Sequence, residues 1–106
     1  MKITVDGTRY DLSTMIALGC STRENHGVSV TEVFFGPRSH RLIEEYYSIW
    51  ESGRNDGTVT GTYYTVYDPA DYGWVAAMTW ALEHSDGAHD NALRAALDKH
   101  APALTD

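Results

Sequence analysis

The chain has 106 residues, 42% of them hydrophobic and 22% charged, with a net charge of −7 and one cysteine. That length is one domain, and such a chain buries roughly two thirds of its unfolded surface, so it needs no staple to hold a core. The acidic balance disfavours direct binding to nucleic acid or to an anionic membrane, and the single cysteine excludes an intramolecular disulfide and fits a reducing cytoplasm.

No apolar run approaches the ~18–20 residues that span a bilayer. The opening MKITVDGTRYDL lacks the apolar stretch of a secretion signal. Residues 1–12 read instead as a hairpin. Ile3 and Val5 alternate with Lys2 and Thr4, Asp6-Gly7 is a two-residue turn signal, and Arg9 to Leu12 returns. Ser13 is placed to cap a short helical turn through Met15, Ile16 and Leu18, closed by Gly19. CSTRENHG, residues 20–27, is polar and ends on glycine, which predicts an exposed loop. VSVTEVFF, residues 28–35, is β-branched and aromatic, which predicts a strand. Gly36-Pro37-Arg38-Ser39 is turn chemistry.

HRLIEEYYSIWES, residues 40–52, fits two periods. As a helix, Leu42, Tyr46, Ile49 and Trp50 form one stripe between Ser39 and Gly53. As a strand, Leu42, Glu44, Tyr46, Ser48 and Trp50 share one face, and Ile43, Glu45, Tyr47 and Ile49 the other. The strand is preferred, because strands before and after it are joined by short turns and sequential strands usually pair. SGRNDG, residues 52–57, is the next turn. TVTGTYYTVY, residues 58–67, is uncharged Thr, Val and Tyr, a strong strand pattern.

From residue 68 the period changes. Asp68 suits an N-cap, Pro69 a first helical position, and Asp71 the reciprocal place in a capping box. Trp74, Met78, Ala81 and Leu82 then repeat at helical spacing, with Val75 beside them. Ser85 or Asp86 starts a second helix in which His89, Leu93, Ala96, Leu97 and His100 share a face, stopped by Pro102. The expected fold is a single α+β domain over residues 1–106. It has an antiparallel sheet of four or five strands, the N-terminal hairpin plus a three-stranded meander, packed on two C-terminal helices.

Charge is unevenly spread. Residues 1–55 carry seven acids and six bases, whereas residues 56–106 carry eight acids against Arg94 and Lys99. Glu83, Asp86, Asp90 and Asp98 therefore form a candidate acidic surface for a basic partner. The same residues also serve plain solubility. A second candidate surface is aromatic. Tyr46, Tyr47, Trp50, Tyr63, Tyr64, Tyr67 and Trp74 crowd the centre of the chain, and adjacent tyrosines put a ring on each side of a sheet. Tyr, Trp and Arg anchor interfaces, so Arg38, Arg41 and Arg54 at the turns make a candidate rim.

Other constellations are weaker. His84, Asp86, His89 and Asp90 cluster between the helices, but their spacing matches no zinc pattern. Cys20 precedes a segment holding Glu24, Asn25 and His26, and a lone cysteine beside glycine is more often packing. Glu44 and Glu45 are adjacent, so on a strand they face opposite ways and cannot act as a pair. No nucleophile, base and orienter assemble from these spacings, so the expectation is a non-enzymatic protein without a cofactor.

The run EVFFGPRSHRLIEEYYSIWES…GTYYTVYDPADYGWVAAM, residues 32–78, resembles small phage and mobile-element proteins of unknown or anti-defence function. The likeness is one of element order: an aromatic strand, a turn with an arginine, two more strands and an acid-started helix. It implies a mobile-element origin and an inhibitor-type role, and it carries no residue roles. An arginine-over-lysine ratio of six to two agrees with a GC-rich bacterial or phage genome. The expected function is a cytoplasmic protein-binding domain that occludes a basic surface of a host nucleic-acid-processing factor. The alternative is a nucleotide- or metabolite-sequestering protein with a pocket between sheet and helices lined by Tyr63, Tyr67 and Trp74. The exposed sheet face or an edge strand also suits a homodimer.

Overall fold

Asp6 and Gly7 both take positive φ, 49° and 83°. That is the backbone of a tight hairpin turn matched to strand twist. β1 (Lys2–Val5) and β2 (Thr8–Asp11) therefore pair at once as a separate two-stranded sheet. The computed structural model describes residues 1–24, 27–50 and 59–101, with side chains at all of these except 20, 23, 24, 27, 50, 59 and 60.

Asp11 ends β2 and caps a single 3-10 turn, Leu12–Thr14. Its carboxylate accepts from the Ser13 N–H at 3.0 Å and the Ser13 hydroxyl at 2.6 Å. The cap is thus Asp11, not Ser13, and the turn does not run to Leu18. Ile16–Glu24 is instead a nine-residue strand, β3. This overturns both the helical turn and the predicted loop at 20–27, whose residues 25 and 26 lie outside the described ones. The physical reason is pairing. Without β3 the N–H and C=O groups along one side of the next strand would have no ladder.

β4 (Gly27–Phe35), β5 (Leu42–Trp50) and β6 (Val59–Tyr67) follow, and the antiparallel order is β3-β4-β5-β6. The meander has four strands rather than three, and the hairpin does not extend it. Residues 40–52 are strand in their centre. β4 and β5 run in register from Phe35 opposite Leu42 to Gly27 opposite Trp50. The turn between them is tight: His40 takes φ 60°, and Gly36 N–H donates to Arg41 O at 2.9 Å. A Cβ on Gly36 would lie 2.7 Å from Ser39 Oγ, so that hydroxyl would have to turn away from the Arg41 N–H it accepts from. The predicted turn at 52–57, with Gly53, lies outside the described residues, as does Pro102.

Only half of the predicted Asp68–Asp71 capping box forms: the Asp68 N–H donates to Asp71 Oδ2 at 2.7 Å, but the Asp71 N–H donates to the Asp68 backbone O at 2.8 Å, and the Asp68 carboxylate accepts from Arg41 Nε instead. It closes a turn, however, and not a helix. α1 starts later, at Trp74, and runs to His84 with Gly73 as its N-cap. A Cβ on Gly73 would lie 2.6 Å from the Tyr67 ring. The turn carries the chain off β6 so that Trp74 drops into the core. Val75 points outward instead, 44% exposed. α2 is Asp90–His100, with His89 as N-cap, and neither Ser85 nor Asp86 caps it. Ser85 donates to Asp90 Oδ1 at 2.7 Å, and Asp86 Oδ1 accepts from the Ala88 N–H at 2.9 Å.

The core lies toward the end of the sheet nearest the 36–41 turn. On one face Leu18, Val33, Phe35 and Leu42 meet Trp74, Met78 and Ala81 of α1 and Leu93 and Ala96 of α2. On the other, Ile43 meets Ile3 and Leu12, with Phe34, Tyr64 and Val66 packed around them. Helices, sheet and hairpin make three layers at that end. Their seam is tied by Trp74, whose indole N–H donates to His40 O at 2.8 Å. His40 Nδ1 lies 2.8 Å from His100 Nε2. One imidazole of this pair is neutral, because two imidazolium rings offer no acceptor. Burial, then His100 and Lys99, hold the His40 pKa below its usual value.

Candidate functional site

Strand alternation sends Ser21, Thr31, Tyr46 and Tyr63 to the helix-side face. The registers align them as one row across all four strands: Ser21 opposite Thr31, Thr31 opposite Tyr46, Tyr46 opposite Tyr63. α1 and α2 pack toward the far end of this face, so Ser21 and Thr31 are half-buried and the tyrosine half of the row is open. Tyr46 is 39% and Tyr63 69% exposed. Ser21, Ser29, Thr31, Tyr46 and Trp80 line a shallow groove of about 280 Å³ along the flank of α1. Within it the Tyr46 hydroxyl lies 3.4 Å from Ser29 Oγ, which lies 3.4 Å from Ser48 Oγ. Trp80 forms the helical wall, its ring stacked on His84 with centroids 4.2 Å apart.

Acids border the row. Glu44 lies between Leu42 and Tyr46 on the same face, where it adds to burial in pushing the Tyr67 pKa up. Glu83 and Asp86 are exposed at the end of α1. That end sits directly on β3: Ser85 bridges to Gly19, two residues from Ser21 on the same strand. Of the other predicted acids, Asp90 is half-buried on Ser85, and Asp98 lies near the far end of α2, where His100 meets Trp74 at 5.4 Å.

The structure therefore divides the predicted aromatic surface. Tyr46 and Tyr63 stand together on the uncovered face. Tyr47 and Tyr64 point to the opposite face, Tyr67 packs against the core, and Trp74 is fully buried. This removes the expected pocket of Tyr63, Tyr67 and Trp74, because helix packing consumes two of its three rings. Arg38 and Arg41 do not rim the tyrosine face. They sit on the 36–41 turn beside the hairpin, with Arg41 Nε 2.6 Å from Asp68 Oδ1 and its guanidinium 5.2 Å from the Tyr10 ring centroid. The Trp50 side chain and Arg54 lie outside what is described. Ser21 escaped the sequence reading because residues 20–27 were expected to be a loop, and Ser29 and Thr31, though on a predicted strand, were not read as part of a surface. The usable signal was the alternation of Ser29 and Thr31 with valines.

On the other face a second cluster was also missed. Glu45 has no partner in Glu44, but Glu32 lies directly opposite it on β4, and Tyr64 opposite it on β6. Once the 36–41 turn fixes Phe35 against Leu42, this pairing follows by counting. Like charges facing across strands repel. The site relieves this in two ways: burial and the facing Glu45 carboxylate keep the Tyr64 hydroxyl protonated, and burial followed by Glu45's charge pushes the Glu32 pKa up. Burial and the Glu45 contacts push the Tyr64 pKa up to about 12. Ultraviolet titration is expected to find one tyrosine ionising near that value, with Glu45→Gln bringing it back toward 10. Because neutral Tyr64 is favoured in the fold, its contribution to stability is full below pH 10 and is lost as pH rises through about 12. A titration with all seven tyrosines ionising together would contradict the cluster.

Among the described residues no three His, Cys, Asp or Glu side chains are gathered as a metal site, and no helix is long and apolar enough to cross a membrane. Comparison with protein-family models, with curated proteins and with solved structures finds no match.

Proposed function

We propose that this chain is a non-enzymatic protein-binding domain whose contact surface is the uncovered tyrosine-and-hydroxyl half of its sheet beside α1. The observation that supports this is the Ser21–Thr31–Tyr46–Tyr63 row, left open by the helices and walled by Trp80. Tyrosine gives a large amphipathic contact with few torsions to freeze, and serine and threonine give adaptable hydrogen bonds, the composition of protein-recognition surfaces. Glu44, Glu83 and Asp86 around the row select a partner with a basic rim. A basic patch that receives nucleic acid is one such surface. Covering it would make this chain an inhibitor of a host nucleic-acid-processing factor, the role that the mobile-element resemblance implies.

The test uses the chain immobilised on resin, with lysate of a GC-rich bacterium, washed at low and at high salt. One stoichiometric partner is expected. The double variant Tyr46→Ala/Tyr63→Ala should weaken its retention by roughly thirtyfold or more, the effect of losing one interface anchor. Glu83→Lys/Asp86→Lys should weaken it at low salt and leave little further salt dependence. Equal retention by all three forms, or retention of nothing by the native chain, would overturn the reading. A second copy of this chain as the retained species would replace it with a homodimer.

A further inference from the structure

On the opposite side of the molecule, the hairpin and the β4–β5 turn enclose a second cavity, of about 650 Å³. This lies within the ~300–1,000 Å³ usual for small-ligand sites. Its wall holds Arg9, Arg38 and Arg41, with Tyr10, Ser39 and Met15. In a chain with a net charge of −7, three of the six arginines converge on this one concavity.

Their surroundings differ. Arg41 is fixed, with Nε on Asp68 at 2.6 Å and its guanidinium over Tyr10. Asp11, the carboxylate in the wall, is committed to Ser13 through two hydrogen bonds and lies 3.7 Å from the N-terminal ammonium. Arg9 and Arg38 are exposed and form no ion pair or side-chain hydrogen bond among the described residues. Ser39 Oγ accepts from the Arg41 N–H at 3.1 Å and has its own proton to give. The cavity thus offers two unspent guanidinium forks and a hydroxyl, beside Met15 and Pro37 as an apolar wall.

We propose that this cavity is a binding site for a small organic phosphate, with Arg9 and Arg38 as its phosphate ligands, Ser39 as a hydroxyl donor and Met15 and Pro37 against the organic part. A phosphate monoester carries enough oxygens to satisfy two separate guanidinium forks at once, which a single carboxylate does not. The concave shape favours a small molecule over a polymer, and the acidic remainder of the chain repels a polyanion. The site is independent of the tyrosine face, because it lies across the sheet from it.

The experiment is calorimetric titration of the full chain with adenosine monophosphate, adenosine, inorganic phosphate and sulfate, alongside backbone amide shift mapping. Saturable binding of adenosine monophosphate is expected, with none for adenosine and weaker binding for the two inorganic ions. Shifts should centre on residues 9–15 and 36–41. Arg9→Gln/Arg38→Gln should lose roughly tenfold or more in affinity, because charge-assisted hydrogen bonds are removed. Both arginines are exposed and form no ion pair among the described residues, so the variant's thermal midpoint should match the parent's and show that folding is intact. Arg9→Lys/Arg38→Lys should retain part of the affinity, as cations without the fork. No binding of adenosine monophosphate, an affinity unchanged in the glutamine variant, shifts centred elsewhere, or sulfate binding as tightly as adenosine monophosphate would each overturn the proposal.

Discussion

Replacing Trp74 with alanine is expected to cost about 3–5 kcal/mol of folding stability, the range for truncating a large buried aromatic. The ring is fully buried where α1, α2 and the sheet meet. Its loss leaves a cavity and also strips His40 O of its donor. The His40 turn and the end of α2 lean on the same ring, so the damage should spread to the His40–His100 contact. Trp74→Phe separates the two contributions, since it keeps most of the packing and loses the N–H. Urea denaturation followed by far-ultraviolet circular dichroism measures both. A cost below about 1 kcal/mol for the alanine variant, the range of a surface change, would mean that Trp74 is not in the core.

Gly19→Ala is the second large effect, expected at about 1–3 kcal/mol, as for overpacking an interior contact. The added methyl carbon would stand 2.6 Å from His84 O and 2.9 Å from its carbonyl carbon. Those atoms are backbone, so no side-chain rotation relieves the clash. Either α1 lifts off β3 or β3 bends. Because Ser21 and Trp80 line the groove from the two elements that this contact joins, the substitution should also widen the groove beside Tyr46. An unchanged denaturation midpoint would mean that α1 does not rest on β3.

Much of this fold was legible because several local signals agreed. Asp6-Gly7 fixed the hairpin, β-branched and aromatic composition fixed β4 and β6, and helical spacing of Trp74, Met78 and Ala81 identified the buried stripe of α1. β3 was hidden because CSTRENHG carries the polar residues and terminal glycine of a loop. Its strand character comes from pairing with β4, which a local pattern does not register. The start of α1 was misplaced because Asp68, Pro69 and Asp71 meet every local rule for a helix N-terminus, yet the Asp68 carboxylate goes to Arg41 and the segment closes an isolated turn. At the candidate surface, the sequence supplied Tyr46 and Tyr63 and the acids Glu83 and Asp86. It did not separate them from Trp74 and Tyr67, since aromatic residues that fill a core and those that face a partner look alike without knowing where the helices lie. Glu32 opposite Glu45 needed only the register of one turn.

The most direct measurement of the central proposal is site-specific photo-crosslinking. A benzophenone amino acid is placed at position 63 on the uncovered row, and separately at position 72, which is even more open to solvent but lies on the turn before α1. Each form is irradiated in lysate of a GC-rich bacterium. The account predicts one defined protein adduct from position 63, competed by unlabelled chain and weakened by salt, and none from position 72. Equal adducts from the two positions, or none from position 63, would contradict it.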